Sequence, residues 1–325
     1  MNLIICTTPF QMLMAEKILD LYKEEDFELH LFCNVMNKKY NHYFNRLARK
    51  VTKSKIYVFN RKSKIKYLFF LIRLKLNSLF SKKIDRLFIG SIDNNHVHVH
   101  VHVHKYIHNN TKLYTFDDGT ANIFPESFFY KEDFSYKNYL LRYILCNKTN
   151  LKTIKDKSLK HYSIYHGKKN IIANVEHINL FISNVDGDYS NNGIKNEKVR
   201  VLIGQPIYEN ISSVVYDELK YSNLVKNIMC KYNIDYYFPH PRECFNIRNV
   251  EYINTGFILE DYILQGINNG NKYELFTFFS GGVISFNNIK QVKIISLKLR
   301  LEDLRKYYKI MEDIDNILFI EEDLL

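Results

Sequence analysis

Apolar and polar positions along this chain follow two rhythms that take turns. Short, nearly unbroken apolar runs at residues 2–6, 28–33, 55–59, 86–89 and 112–116 read as strands. Between them, residues 11–22, 40–51 and 64–80 carry apolar side chains at helical spacing. An unbroken apolar strand is buried on both faces, which is the signature of a parallel sheet covered by helices. A polar stretch rich in Asn, Asp and Gly, residues 184–198, interrupts the pattern and reads as a linker. The alternation then resumes. Residues 200–203, 235–238, 273–278 and 292–297 read as strands, residues 219–232 and 261–267 as helices, and residues 301–311 as a closing helix. The expected class is α/β, with two Rossmann-like, doubly wound parallel-sheet domains facing a cleft, residues 1–190 and 198–325.

Two segments break the simple pattern. Residues 64–80 mix Lys64, Lys66, Arg73 and Lys75 with a broad apolar face. Such a helix suits a membrane surface, but a buried crossover helix looks similar and is the expected reading. His96-Val-His-Val-His-Val-His-Val-His104 has the period of a strand with one histidine-covered face, a pattern able to bind a transition metal. Its place between two parallel strands calls instead for a crossover helix, on which His96, His100 and His104 share a face. A bare dipeptide repeat also resembles replication slippage, and no metal is expected.

A chain of 325 residues, 46% apolar and 25% charged, is long enough for two domains with cores of their own. Cys6, Cys33, Cys146, Cys230 and Cys244 show no pairing spacing. The first three sit in apolar runs and read as buried free thiols of a reducing compartment. The net charge of +11 favours acidic partners: nucleotides, anionic sugars or an anionic membrane surface. Residues 1–6 are too short for a signal peptide, and no apolar run approaches the roughly 18–20 residues that span a bilayer. The expected location is the cytoplasm.

The candidate chemistry sits where strands end. Tyr237-Phe-Pro-His-Pro-Arg-Glu243 closes a strand with His240 locked between two prolines and Arg242 behind it. Proline restricts both itself and the residue before it, so the imidazole stands on a stiff loop where open sheets bind ligands. Asp117 and Asp118 precede Gly119 at the end of another strand, suited to sugar hydroxyls or to a base; an Asp-Gly turn is the plain alternative. Phe279-Ser280-Gly281 ends a third strand, where small residues let backbone N–H groups approach an anion. Glu260 opens a helix as a cap, or as a ribose ligand. No GxGxxG or P-loop spacing is present.

Taken together these motifs resemble glycosyltransferase family 52, the bacterial lipooligosaccharide α-2,3-sialyltransferases. The resemblance runs through Asn2-Leu-Ile-Ile-Cys6 with Gln11-Met12, Thr115-Phe-Asp-Asp-Gly-Thr120, Val201-Leu-Ile-Gly204, His240-Pro-Arg242, Glu260-Asp-Tyr-Ile-Leu264 and Thr277-Phe-Phe-Ser-Gly281. It implies a GT-B fold and inverting, metal-independent transfer from CMP-sialic acid to a galactose of lipooligosaccharide, with no cofactor. It places His240 at the departing CMP phosphate, Ser280 and Gly281 on that phosphate, and Glu260 on the ribose. Gln11, Asp117, Gly119, Arg242 and Phe279 complete the expected substrate contacts. A peripheral contact with anionic membrane and a homodimer are expected as partners, nucleic acid is not.

One departure matters. The family's sialyltransferases carry their catalytic base directly after a Gly-x-Pro, and here Gly204-Gln-Pro206 is followed by Ile207. Glu209 is the nearest carboxylate and the expected base, with Asp118 as the other candidate. The same fold with a different nucleotide sugar, a glucosyltransferase for example, is the alternative. A metal- or nucleic-acid-binding module is the alternative from another class.

Overall fold

The apolar runs become the strands of two parallel sheets. In the computed structural model, residues 1–59, 63–109, 111–131, 135–180, 197–211, 218–240, 243 and 245–323 are described. The chain divides into two units, Met1–Leu180 and Phe181–Leu325. Most of the expected linker lies outside the described residues, although Lys198 already belongs to a strand.

Unit 1 contains strands β1 (Asn2–Cys6), β2 (Phe27–Cys33), β3 (Lys53–Val58), β4 (Arg86–Ile89), β5 (Lys112–Phe116), β6 (Ser158–Ser163) and β7 (Val175–His177). Its helices are α1 (Pro9–Leu21), α2 (Lys38–Ala48), α3 (Lys64–Leu79), α4 (Asn95–Val101), α5 (Tyr136–Ile144) and α6 (Leu151–Lys157). The sheet order is β3-β2-β1-β4-β5-β6-β7. β1 is paired on both sides and buried throughout, hence its unbroken apolar sequence. The edge strand β3 is mostly exposed and carries Lys53 and Lys55, charges that discourage edge-to-edge association.

Unit 2 contains β8 (Lys198–Ile203), β9 (Tyr236–Phe238), β10 (Lys272–Thr277), β11 (Val292–Leu299) and β12 (Ile317–Glu322), with α7 (Glu218–Lys231), α8 (Leu259–Asn268) and α9 (Arg305–Glu312). Its order is β12-β11-β10-β8-β9, again parallel throughout. Each order reverses direction once, between β1 and β4 in unit 1 and between β8 and β10 in unit 2. In doubly wound sheets such switch points, at the carboxyl ends of the strands, are where ligands bind.

Several elements depart from the sequence expectation. β6, β7, α5 and α6 were not foreseen. β6 (Ser-Leu-Lys-His-Tyr-Ser) has no apolar run and is held by pairing with β5 and β7; α5 buries no side chain. The expected closing helix at 301–311 is a 3-10 turn, Glu302–Leu304, followed by α9, and β12 closes the unit instead. The buried-thiol expectation holds for Cys6 and Cys33. Cys146 is exposed, on a left-handed turn (φ 44°) after α5, and Cys230 is exposed on α7. Cys244 lies outside the described residues.

The histidine repeat is helical. α4 runs into a π-helical turn, His102–Ile107, and His96, His98, His100, His102 and His104 are all buried together with the valines between them. Crossover topology overrides the strand preference of valine here. His96 stacks on Phe32 at 4.5 Å, and the rings of His100 and His104 lie parallel 5.8 Å apart, as the shared helix face requires. Among the described residues no three His, Cys, Asp or Glu side chains converge as a metal site.

Candidate active site

Unit 1 gathers a hydrogen-bonded carboxylate at its switch point. α1 starts at an N-cap, Thr8, whose side chain accepts from the Gln11 N–H, with Pro9 in the first turn. That start turns Gln11 inward, where it is fully buried. Gln11 Oε1 accepts from the Thr7 N–H (2.6 Å), while Nε2 donates to Ser91 Oγ (2.7 Å) and to Asp118 Oδ1. Ser91 Oγ donates to Asp118 Oδ2 (3.0 Å), so in its 2.6 Å contact with Thr7 Oγ1 it accepts. Thr7, Ser91 and Asp118 follow β1, β4 and β5, three adjacent strands.

Asp118 is only half-buried at its surface yet sits in poorly solvated surroundings. Burial pushes its pKa up to about 7, the Gln11 and Ser91 hydrogen bonds pull it down, and the nearby Asp93 and Asp117 charges push it up. A half-buried carboxylate balanced near neutrality can take a proton from an incoming hydroxyl. Asp117 differs completely. It is fully buried and accepts from His161 Nε2 (2.9 Å) and the Ile164 N–H (2.8 Å), while His161 Nδ1 meets Thr115 Oγ1 (2.8 Å). Asp117 and Gln11, expected to touch substrate, are fully buried and hold the Asp118 loop through these hydrogen bonds. Gly119 follows at φ +116°, ψ −160°, a conformation essentially closed to other residues, so its part is to turn the backbone after Asp118.

In unit 2 three strand-end loops are tied together. β10, β8 and β9 are neighbours. After β8, the Gln205 N–H donates to Tyr221 Oη (3.1 Å), and Gln205 Oε1 accepts from Thr277 Oγ1 (3.2 Å) at the end of β10 and from the Phe279 N–H (2.7 Å) just beyond it. Tyr221 Oη meets Tyr237 Oη (3.0 Å), and Tyr237 donates to Glu243 Oε2 (2.7 Å). Glu243 in turn brackets the histidine: its Oε2 accepts the His240 N–H (3.4 Å), and its own N–H donates to the His240 carbonyl (2.9 Å). Burial raises the pKa of Glu243, while hydrogen bonds from Tyr237 and the His240 N–H lower it. Gly204 leaves the room this chain needs, because a Cβ there would strike Tyr237 Oη and come within 3.0 Å of Glu243. The His240 backbone is thus held, and the residue is half-exposed at the end of β9.

Across the unit 2 switch point, Ser280 precedes a 3-10 turn, Gly281–Phe286, and its N–H donates to Thr277 Oγ1 (3.0 Å). The Phe279 and Ser280 amides are therefore directed inward, and Phe279 stacks on Tyr307 at 4.8 Å. A Cβ on Gly282 would lie 3.7 Å from Ser280 Oγ and 3.8 Å from Glu260 Oε1. Ser280 and Glu260 thus face one point, with Glu260 in the first turn of α8, where the helix dipole favours a carboxylate.

Ile207, at the position where the resemblance led one to expect a base, is fully buried in the core of unit 2 and can move no proton. Glu209 shares its 3-10 turn, Ile207–Asn210, but the Glu209 side chain, Pro241 and Arg242 lie outside the described residues. Ser91, His161 and Gln205 were not singled out from sequence. A Gly-Ser pair directly after an apolar run was the available signal for Ser91.

Comparison with known proteins gives the class first. A UDP-bound structure of UGT89C1 from Arabidopsis thaliana superposes with a TM-score of 0.58 at 12% identity, covering 99% of this chain and 86% of that one. A UDP-GlcNAc 2-epimerase from Neisseria meningitidis superposes at 0.52 and 12% identity, covering 98% and 87%. At such identities the likeness shows the fold alone, which is GT-B. A family model described as Glycosyltransferase family 52 matches residues 24–301. The CMP-N-acetylneuraminate:beta-galactoside alpha-2,3-sialyltransferase of Pasteurella multocida is 34% identical over 305 residues, 93% of each chain. The N-acetyllactosaminide alpha-2,3-sialyltransferase of Haemophilus influenzae is 31% identical over 291 residues, 88% of each. The chain belongs to glycosyltransferase family 52. It is a glycosyltransferase, and a sialyltransferase by kind.

Proposed function

We propose that this enzyme moves sialic acid from CMP-sialic acid to a terminal galactose of a lipooligosaccharide, in a single inverting displacement without a divalent metal. The observation that carries this reading is Asp118: a half-buried carboxylate poised near pH 7 and held by Gln11 and Ser91 at the unit 1 switch point. In this mechanism Asp118 takes the proton of the acceptor hydroxyl as its oxygen bonds to the anomeric carbon. The bond from that carbon to the CMP phosphate oxygen breaks, and His240 hydrogen-bonds the departing phosphate. With the Phe279 and Ser280 amides directed inward, Gly281 and Gly282 are the backbone donors assigned to that phosphate, and Glu260 takes the ribose. The net charge of +11 adds a favourable field for the anionic donor.

Among the described residues no helix is long and apolar enough to cross a membrane. We assign the enzyme to the cytoplasmic face of the membrane, where free thiols stay reduced, with α3 and α5 as its contact with anionic lipid.

The test is incubation with CMP-sialic acid and labelled lactose, for wild type, Asp118→Asn and Glu209→Gln. Wild type should release CMP and form sialyl-lactose, and Asp118→Asn should lower kcat by about 10²–10⁴-fold. A comparable loss in Glu209→Gln with Asp118→Asn near wild type transfers the base to Glu209. Absence of free CMP and of product from wild type overturns the donor and favours another nucleotide sugar.

A further inference from the structure

A cavity of about 400 Å³ in unit 1 is lined by Asp93, Phe128, Lys131, Asn138, Arg142 and Lys152, among others. We propose that it is an acceptor subsite, and that it selects a phosphate-bearing saccharide. The proposal rests on the reading that Asp118 takes the acceptor's proton.

Its walls are built on the loops that hold Asp118. Asp93 lies two residues beyond Ser91, whose hydroxyl donates to Asp118, and the charge of Asp93 is felt at that carboxylate. Phe128 and Lys131 belong to the loop that starts at Asp118. Hydrogen bonds make that loop one piece: Asn122 Oδ1 accepts the Asp118 N–H (2.8 Å), Ser127 Oγ donates to the Ala121 carbonyl (2.6 Å), and Tyr130 Oη donates to the Asn122 carbonyl (2.8 Å). α5 contributes Asn138 and Arg142, four residues apart on one helix face. α6, set by a capping box between Asn150 and Thr153, contributes Lys152.

The lining has the chemistry of a sugar site with an added anion. Phe128, 56% exposed, is a flat apolar platform against which the C–H face of a pyranose packs. Asn138 and Asp93 match hydroxyl groups. Among the six side chains named, three cations stand against one carboxylate, and arginine's planar fork suits phosphate oxygens. About 400 Å³ lies within the usual range for small-ligand sites, about 300–1,000 Å³. A terminal galactose at Asp118 would leave the next, phosphorylated sugar to occupy it.

The test compares lactose with lactose carrying a phosphate on its glucose ring, at saturating CMP-sialic acid, using the full chain. Wild type should show a KM for the phosphorylated acceptor about ten-fold lower or better, the scale of a charge-assisted hydrogen bond. In Arg142→Gln/Lys152→Gln the ratio of the two kcat/KM values should fall toward one, while Phe128→Ser should raise KM for both acceptors. Sialylation of both acceptors with equal KM in wild type, or an unchanged ratio in the double variant, overturns the subsite and leaves the transferase reading standing. Turnover of neither acceptor overturns the proposed donor and galactoside acceptor, and the subsite with them.

Discussion

Asp118 shows how one residue's surroundings, more than its type, set its chemistry. Its neighbour Asp117 has the same side chain, yet a buried histidine and a backbone amide commit Asp117 to holding the loop. Asp118 stays half-exposed, with a pKa pushed up to about 7, so activity should depend on its ionised form. A base works only when deprotonated. kcat/KM should therefore fall about ten-fold per pH unit below pH 7, and this acid limb should vanish, with most of the activity, in Asp118→Asn. A profile flat from pH 8 down to pH 5 would remove Asp118 as the base. On the leaving-group side, His240→Ala should lower kcat by about 10²–10⁴-fold with a smaller change in KM, as expected for a contact that strengthens in the transition state. Near-normal transfer by that variant would end its assignment. His240, Glu260 and Ser280 could be singled out as candidates from sequence because their loops follow directly on apolar runs. Gln205 could not, since its meaning lies in a carbonyl oxygen that accepts from an amide 74 residues away.

At the scale of elements, α3 and α5 stand out because part of their apolar surface faces outward. α3 buries Leu71, Leu74 and Ser78, as a crossover helix should, but exposes Ile65, Phe69 and Leu76 along a second stripe that the exposed Phe80 continues just past its end. α5 exposes Tyr136, Tyr139 and Tyr143. Lys75 on α3 donates to the Leu145 carbonyl at the end of α5 (2.5 Å), so the two helices meet there. Neither contains a carboxylate, and together they carry Lys64, Lys66, Arg73, Lys75, Lys137 and Arg142. The crossover reading of residues 64–80 accounts for the face that is core, and the outward face has the make-up of an interfacial helix. The enzyme should co-sediment with vesicles containing phosphatidylglycerol and not with pure phosphatidylcholine, and Phe69→Ser/Phe80→Ser or high salt should release it. Equal binding to both vesicle types would contradict the charge argument.

Across the whole molecule, unit 1 carries an acid-sensitive core. His30, His100 and His104 have pKa values lowered by burial, to about 4 for His104. Neutral His30 donates from Nε2 to Glu28 (2.8 Å), and that bond together with Lys55 holds Glu28 down to about 2 against its burial. The unfolded chain, with histidines near 6.5, binds protons that the folded state refuses. Stability is then fully retained above about pH 6.5 and declines as pH drops toward 4. Below about 4.5, protonation of Glu16, Glu28 and Glu274, all lowered in the folded state, removes more. The urea midpoint should therefore be lower at pH 5 than at pH 7.5, and His104→Leu should narrow the gap. Identical midpoints would show that the buried imidazoles cost the fold nothing.

By itself the sequence determined the central strands and their parallel pairing, because burial of a central strand depends on a run of apolar side chains that is local and visible; β6, β7 and β12 were not visible in this way. It also marked the strand ends where chemistry collects. Tertiary structure alone decided which polar residues meet there. Gln11 reaches Asp118 across 107 positions and His161 reaches Asp117 across 44, contacts that exist only because strand order sets β1, β4, β5 and β6 side by side. The histidine repeat divides the same way: its place between two parallel strands already called for a helix, while its burial and its ring contacts were decided by the fold.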